Sequence, residues 1–220
     1  MAIVTSQNIE EFRFKLLNWF DTNGRHFPWR NKTKTNYQVI IAEVLLQRTK
    51  AETVSKFYCQ FIKDFHNWAT LADTGIIPLE QYLKPIGLYR QRAKRLKSLA
   101  MEMVKRDGKI PEDRAELNKI PFMGQYIANA VELIIFKKPS PLVDVNMSRL
   151  LERYFGARKM ADIRYDPYLQ DLSFKIVNHK RSIEVNWAIL DFAAIVCKIK
   201  NPQCNACPLS KKCNYYKMNF

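Results

Sequence analysis

Apolar residues recur along this chain at the three- and four-residue spacing of helices that bury one face. No segment shows sustained two-residue alternation, and the 220 residues include only six glycines. We therefore predict an all-α protein. The first helix is expected to follow a capping box formed by Asn8 and Glu11. Further helices are predicted near 37–49, 51–65, 89–106 and 125–136, with short helices after Pro78 and Asp113 and helix starts at Asp144, Asp166 and Ser182.

The charge of the chain points to a polyanionic partner. The formal net charge is +15 at pH 7, and nucleic acid is the usual partner of such an excess. The basic residues are spread along the sequence rather than gathered on one amphipathic helix, which argues against a membrane-surface role. No apolar run approaches the roughly 20 residues of a membrane span. We expect a monomeric protein with no membrane partner.

Four of the five cysteines lie close together, in the pattern C-x6-C-x2-C-x5-C. They are Cys197, Cys204, Cys207 and Cys213. Such a group is typical of a metal centre. The lysines beside them, at 198, 200, 211 and 212, are expected to lower the pKa values of the thiols. The sequence begins without a signal peptide, so we expect a reducing, cytoplasmic compartment in which disulfides are disfavoured. The spacing leaves zinc and an iron–sulfur cluster both open.

A tight turn, Pro121-Phe122-Met123-Gly124, is predicted between two helices. Backbone amides in such a turn and at the start of the next helix can receive a phosphate. Gly124 allows a positive φ or the close approach of a ligand to the backbone. Asp144 follows the proline-rich linker 137–141, at the start of the next predicted helix.

These segments together resemble the helix-hairpin-helix DNA glycosylases, in particular the branch of MutY adenine glycosylases and archaeal mismatch thymine glycosylases. The resemblance rests on IPFMGQYIA at 120–128, VDVN at 143–146 and the four-cysteine tail, with support from 27–29, 42–49 and 87–94. It runs from about residue 10 to residue 216. It implies a two-lobed fold, with a six-helix barrel lobe at 29–138 that ends in the helix-hairpin-helix at about 113–137. Residues 1–28 and 139–220 would form the second lobe, in which the four cysteines hold a [4Fe–4S] cluster.

The resemblance also implies three catalytic residues. Asp144 matches an aspartate that stabilises the positive charge developing on the sugar as the bond to the base breaks. Glu43 matches a glutamate that protonates the departing base, and its apolar surroundings should raise its pKa. Tyr126 stands where bifunctional relatives carry a Schiff-base lysine, which predicts a monofunctional enzyme. The competing interpretations are a helix N-cap, a solvated carboxylate and a core tyrosine, respectively.

Gln47 and Arg48 are expected to fill the gap that a flipped base leaves in the duplex. Further DNA contacts are expected from Arg90, Arg92, Phe122, Met123, Gly124 and Gln125. Phe122 stands where the hairpin of the family usually has a glycine. Either the turn keeps a negative φ there, with the ring directed toward DNA, or this phosphate anchor is weaker than usual.

We therefore expect a glycosylase that excises thymine, and uracil, opposite guanine from mismatched double-stranded DNA in base excision repair. The sequence ends seven residues after Cys213, so we expect it to lack the additional domain with which MutY enzymes recognise the opposite base. One alternative is an adenine glycosylase that acts on A·G or A·8-oxoguanine pairs. An alternative of another class is a non-catalytic DNA-binding protein with a structural four-cysteine metal site.

Overall fold

A computed structural model describes residues 4–31 and 33–220 of the protein. These residues form twelve α-helices and three short 3-10 helices, and they contain no β-strand. The prediction of an all-α protein is therefore confirmed. Over the same residues, no helix combines the length and the apolar character that crossing a membrane requires.

The described chain divides into two compact units. The continuous unit is His26–Phe136, and the discontinuous unit joins the described residues up to Arg25 to Lys137–Phe220. The lobes expected from the sequence have their boundaries after residues 28 and 138.

The continuous unit is built around one almost fully buried helix. Its α-helices are α2 (Asn36–Leu46), α3 (Ala51–Asp64), α4 (Trp68–Asp73), α5 (Ile76–Leu83), α6 (Tyr89–Lys105), α7 (Arg114–Asn118) and α8 (Gln125–Ile134). Helix α2 is apolar on nearly every side, because eight of its eleven residues are buried. Such a helix needs neighbours all round, and α3, α6 and α8 pack against it.

The discontinuous unit is formed by helices from both ends of the chain. It contains α1 (Ser6–Asn23), α9 (Val145–Phe155), α10 (Pro167–Val177), α11 (Ser182–Ile195) and α12 (Asn214–Asn219). Helix α1 packs against α11 and α10, and its Phe12 and Leu16 are fully buried there.

Two buried polar residues of α11 hold the segments that lead into this unit. Asp191 is fully buried and accepts hydrogen bonds of 2.8 Å from the backbone N and the Nε of Arg25. Asn186 is also fully buried. Its Oδ1 accepts from Leu142 N at 2.8 Å, and its Nδ2 donates to Ser140 O. Both side chains satisfy backbone groups that burial would otherwise leave unpaired.

The helix starts predicted at Asp113, Asp144 and Asp166 are confirmed, because each carboxylate accepts from a backbone N–H of the following turn. The capping box predicted at Asn8 is wrong. Helix α1 begins three residues earlier, with Thr5 as its N-cap and the Thr5 side chain accepting from Asn8 N.

Candidate active site

Glu43 lies in the middle of α2 and is 5% exposed. Its Oε2 has no hydrogen-bond partner. Burial raises the pKa of this carboxyl from 4.5 to about 7, against a smaller lowering by the nearby Arg30. The side chain is thus a neutral or half-neutral acid near pH 7, as the apolar sequence around it predicts.

Tyr126 lies in the first turn of α8, which packs against α2. Its ring is half-buried and packs against the core of the continuous unit. Tyr126 and Glu43 therefore lie on adjacent helices of the same unit.

The N-terminus of α8 is open to an external anion. Gly124 is its N-cap residue, and no side chain caps this end of the helix. The φ of Gly124 is −64°, and a Cβ added there would meet no atom within 4 Å. Neither backbone conformation nor packing within the chain requires glycine here, and the open space leaves room for a ligand to approach the backbone.

Phe122 adopts a positive φ, which is costly for a residue with a side chain. Its φ is +63°, in the left-handed region, and its side chain is 41% exposed. A residue with a Cβ in this region is strained by about 1–2 kcal/mol. The ring lies 5.5 Å from the Arg95 guanidinium carbon, a distance that suits a cation–π contact. The alternative in which φ stays negative is therefore wrong.

Met123 and Arg92 are not available to DNA, which corrects the expectation for both. The Met123 side chain is 3% exposed in the core, and its N–H donates to Ile120 O. Arg92 is 4% exposed. Its guanidinium donates to the hydroxyl of Thr49 and to three carbonyl oxygens, those of Gln47, Ile86 and Gly87. Arg92 therefore fastens the turn after α2 to the loop before α6.

The two segments that Arg92 joins present exposed residues in strained conformations. Arg48 is exposed with φ +56°, and Leu88 is 48% exposed with φ +49°. Arg90, the second residue of α6, is also exposed. Strained backbone concentrates at functional sites. The exposure of Leu88 was not predicted, because an apolar residue in a loop gives no signal of exposure in the sequence.

Asp144 caps α9 in the discontinuous unit. Its Oδ1 accepts from Asn146 N at 2.9 Å and Met147 N at 2.8 Å, and its Oδ2 accepts from Asn146 Nδ2 at 2.7 Å. Burial raises the pKa of the carboxyl, and these three hydrogen bonds oppose the rise. Asp144 therefore caps α9. A carboxylate has about four acceptor sites, so the two oxygens keep capacity for a ligand.

Arg149 connects this carboxylate with the first cysteine. Its Nη2 donates to Asn146 Oδ1 at 3.2 Å, and its Nε donates to Cys197 O at 3.0 Å. One turn later Arg153 donates to Lys198 O at 2.7 Å, and its Nη1 lies 3.4 Å from Cys197 Sγ. The spacing of the two arginines, four residues apart on one helix face, was the available sequence signal for this pair.

The four clustered cysteines line one partly open cavity of about 370 Å³, a volume that includes solvent at its mouth. Arg153 and Tyr154 line the same cavity. Tyr154 is 3% exposed, and its hydroxyl has no hydrogen-bond partner. Backbone N–H groups also donate to sulfur, from Leu209 to Cys207 and from Tyr215 and Tyr216 to Cys213.

These donors fit a metal centre held by thiolates. In the described ranges, no three His, Cys, Asp or Glu side chains are arranged to hold a single metal ion. Donors directed at the sulfurs, and a buried hydroxyl without a protein partner, fit such a centre.

The pKa values of the cysteines run against the sequence expectation. Burial raises the pKa of the Cys207 thiol to about 11, and it also raises the pKa values of Cys204 and Cys213. For these three thiols the lowering expected from the neighbouring lysines is wrong, because the lysine side chains are exposed and the effect of burial on the thiols is larger. Four thiolates in this cavity therefore need compensating positive charge, which a metal centre supplies.

The chain was compared with known proteins and structures. A family model described as HhH-GPD superfamily base excision DNA repair protein matches residues 41–166. A thymine/uracil-DNA glycosylase of Methanothermobacter thermautotrophicus is 33% identical over 219 residues, which cover 99% of this chain and 98% of that protein. An adenine DNA glycosylase of Buchnera aphidicola subsp. Baizongia pistaciae is 32% identical over 209 residues, covering 93% of this chain and 58% of that protein.

The fold is also found among solved structures. A thermostable thymine-DNA glycosylase superposes with a TM-score of 0.89 at 32% identity, over 96% of this chain and 98% of that one. The chain therefore belongs to the HhH-GPD superfamily of base excision DNA repair proteins.

Proposed function

We propose that this protein is a monofunctional DNA glycosylase that excises thymine, and uracil, opposite guanine from double-stranded DNA. The observation that carries the target base is the match, over almost the full length of both chains, to a thymine/uracil-DNA glycosylase. The buried Glu43 acid and the hydrogen-bonded Asp144 carboxylate support catalysis rather than the non-catalytic alternative. We further propose that it acts as a monomer in a reducing cytoplasm.

Binding of duplex DNA has two supports in the continuous unit. The uncapped N-terminus of α8 offers backbone N–H groups to a phosphate, and Gly124 leaves room for its approach. Arg48, Arg90 and Gln125 are exposed and can contact the duplex. The net charge of +15 strengthens association with the phosphate backbone.

A glycosylase flips its target nucleotide out of the duplex before cleavage. We propose that Gln47 and Arg48 occupy the gap, with exposed Leu88 as a further apolar contact to the bases. Arg92 does not touch DNA in this proposal. It fixes the backbone of Gln47 through a hydrogen bond of 2.9 Å from its Nη2 to the carbonyl oxygen.

We assign the chemistry to two carboxyl groups, one in each unit. As the bond between the base nitrogen and C1′ breaks, Glu43 donates its proton to the departing base. Asp144, ionised, stabilises the positive charge that develops on the sugar. Water then adds at C1′ and loses a proton, which leaves an abasic site. Tyr126 carries no amine and cannot form an imine with the sugar, so the strand stays intact.

Adenine excision is the second candidate function. It is favoured by the 32% identity to the Buchnera adenine DNA glycosylase, although this chain covers only 58% of that protein. It shares with the leading proposal the use of Glu43 as a proton donor.

We propose that Cys197, Cys204, Cys207 and Cys213 hold a [4Fe–4S] cluster, which shapes the loop between α11 and α12 and does not take part in bond cleavage. The support is the shared cavity, the donors directed at the sulfurs and the partnerless Tyr154 hydroxyl.

The base specificity is tested with duplexes that carry T·G, U·G, A·G or A·8-oxoguanine. We expect cleavage of the thymine- and uracil-containing strands only after hot alkali, because the product is an abasic site. Alkali-dependent cutting confined to the adenine strands would establish the second candidate instead. Strand scission before alkali would contradict the role given to Tyr126.

Asp144→Asn should reduce the single-turnover rate by about a hundredfold or more, because the neutral amide no longer stabilises the cation. Asparagine is as good an N-cap as aspartate, so the fold and the DNA affinity should persist. Asp113→Asn, at the N-cap of α7, is the matched control and should keep the wild-type rate. Wild-type turnover by Asp144→Asn would remove this residue from the mechanism.

The single-turnover rate should fall as pH rises through about 7, the pKa to which burial raises Glu43. The sign follows from the raised pKa, since the proton that the base receives is present below this pH and absent above it. Glu43→Gln should abolish this alkaline limb along with most of the activity. Glu102→Gln, at a surface ion pair on α6, should keep the wild-type pH profile. An unchanged limb in Glu43→Gln would assign the titration to another group.

Protein purified without oxygen should contain about four iron atoms and as many acid-labile sulfides per chain. Cys207→Ser should lose most of this iron. Cys59→Ser is the matched control, because Cys59 is an exposed thiol of the continuous unit, and it should retain the full iron content. One zinc ion per chain, without sulfide, would overturn the assignment.

A further inference from the structure

The hairpin turn and the turn after α2 are joined by one arginine. Arg95, on α6, places its guanidinium carbon 5.5 Å from the centre of the Phe122 ring. Its Nη1 also donates to Gln47 Oε1 at 3.0 Å. Phe122, Arg95 and Gln47 all lie in the continuous unit, so their contacts are internal to one compact body.

Gln47 is thereby held at both ends. Arg92 fixes its carbonyl oxygen, and Arg95 fixes its side-chain oxygen. Because the amide oxygen accepts from Arg95, the amide nitrogen is the part of the side chain that can donate to a ligand. An amide held in this way presents two N–H donors to its target instead of alternating between donor and acceptor.

Phe122 supplies the other half of this arrangement. Its backbone is strained at φ +63°, and strain of this kind persists where surrounding contacts hold it. The ring contact with Arg95 gives the aromatic side chain a purpose that a glycine at the same position would not serve. It limits the directions in which the long Arg95 side chain can turn.

We propose that Arg95 is a positioning residue that fixes the orientation of the Gln47 amide, and that Phe122 is its aromatic support. This inference rests on the proposed function, in which Gln47 occupies the gap left by the flipped base. It predicts that the hairpin turn of this chain sets the orientation of the residue that probes the duplex, in addition to anchoring a phosphate.

The test is a double-mutant cycle on duplexes with 2-aminopurine beside the mismatch, whose fluorescence rises when the target nucleotide leaves the stack. This readout needs binding and flipping but no cleavage, so it separates failure of this inference from failure of the proposed excision activity. Arg95→Ala and Gln47→Ala should each lower the flipping equilibrium by roughly tenfold, the effect of one charged hydrogen bond. The double variant should be no worse than Gln47→Ala alone.

The Phe122 variants distinguish support of Arg95 from a merely structural role. Phe122→Tyr should keep wild-type flipping, and Phe122→Leu should lose about threefold, because leucine has bulk but no aromatic face. Phe122→Gly should lose as much flipping as Phe122→Leu while its thermal midpoint rises, because glycine relieves the strained φ. Lys105→Ala, which removes an exposed charge from the same helix, is the control and should leave flipping unchanged.

Two results would overturn the inference. One is a pair of Arg95 and Gln47 effects that multiply in the double variant, which would make the residues independent. The other is tighter binding and undiminished flipping in Phe122→Gly, which would show that the ring only obstructs the phosphate anchor.

Discussion

The hydrogen bonds from Arg149 to the carbonyl oxygens of Ala193 and Cys197 fix the position of α9 against the end of α11. The proposals for Asp144 and for the four cysteines depend on these two hydrogen bonds. Helix α9 is capped by Asp144 and carries Arg149 and Arg153 on one side, so its position determines that of the carboxylate and of the first cysteine. The loop that carries the cysteines and the carboxylate of Asp144 are therefore parts of one hydrogen-bonded assembly.

In the continuous unit the corresponding constraint is the buried guanidinium of Arg92. Four oxygens from two loops accept hydrogen bonds from it, and removal of this cation would take one donor away from each of them. The exposed and strained residues Arg48 and Leu88 lie directly beside those loops. Arg92 thus holds the base of a surface whose outer residues are free to contact a ligand.

Features that depend on neighbours in sequence could be predicted well. The aspartate N-caps, the apolar helix around Glu43 and the turn before Gly124 are examples, because caps and periodicity are local. Features that depend on distant segments could not. Arg92 has the same sequence signature as Arg90, and only the meeting of two loops about 40 residues apart makes one of them buried. The burial of the three thiols, which reverses the expected shift in their pKa values, arises in the same way.

Because the discontinuous unit is formed by both ends of the described chain, its helices are translated at different times. Helix α1 is made early, but its Phe12 and Leu16 are buried against helices that follow residue 144. Domains emerge from the ribosome with their N-terminal parts first, so the continuous unit is complete in sequence while α1 still lacks its partners. The contacts between α1 and α11 therefore cannot form until α11 has been translated. Helix α1, although it precedes the continuous unit in sequence, is thus among the last helices of this unit to reach its final packing.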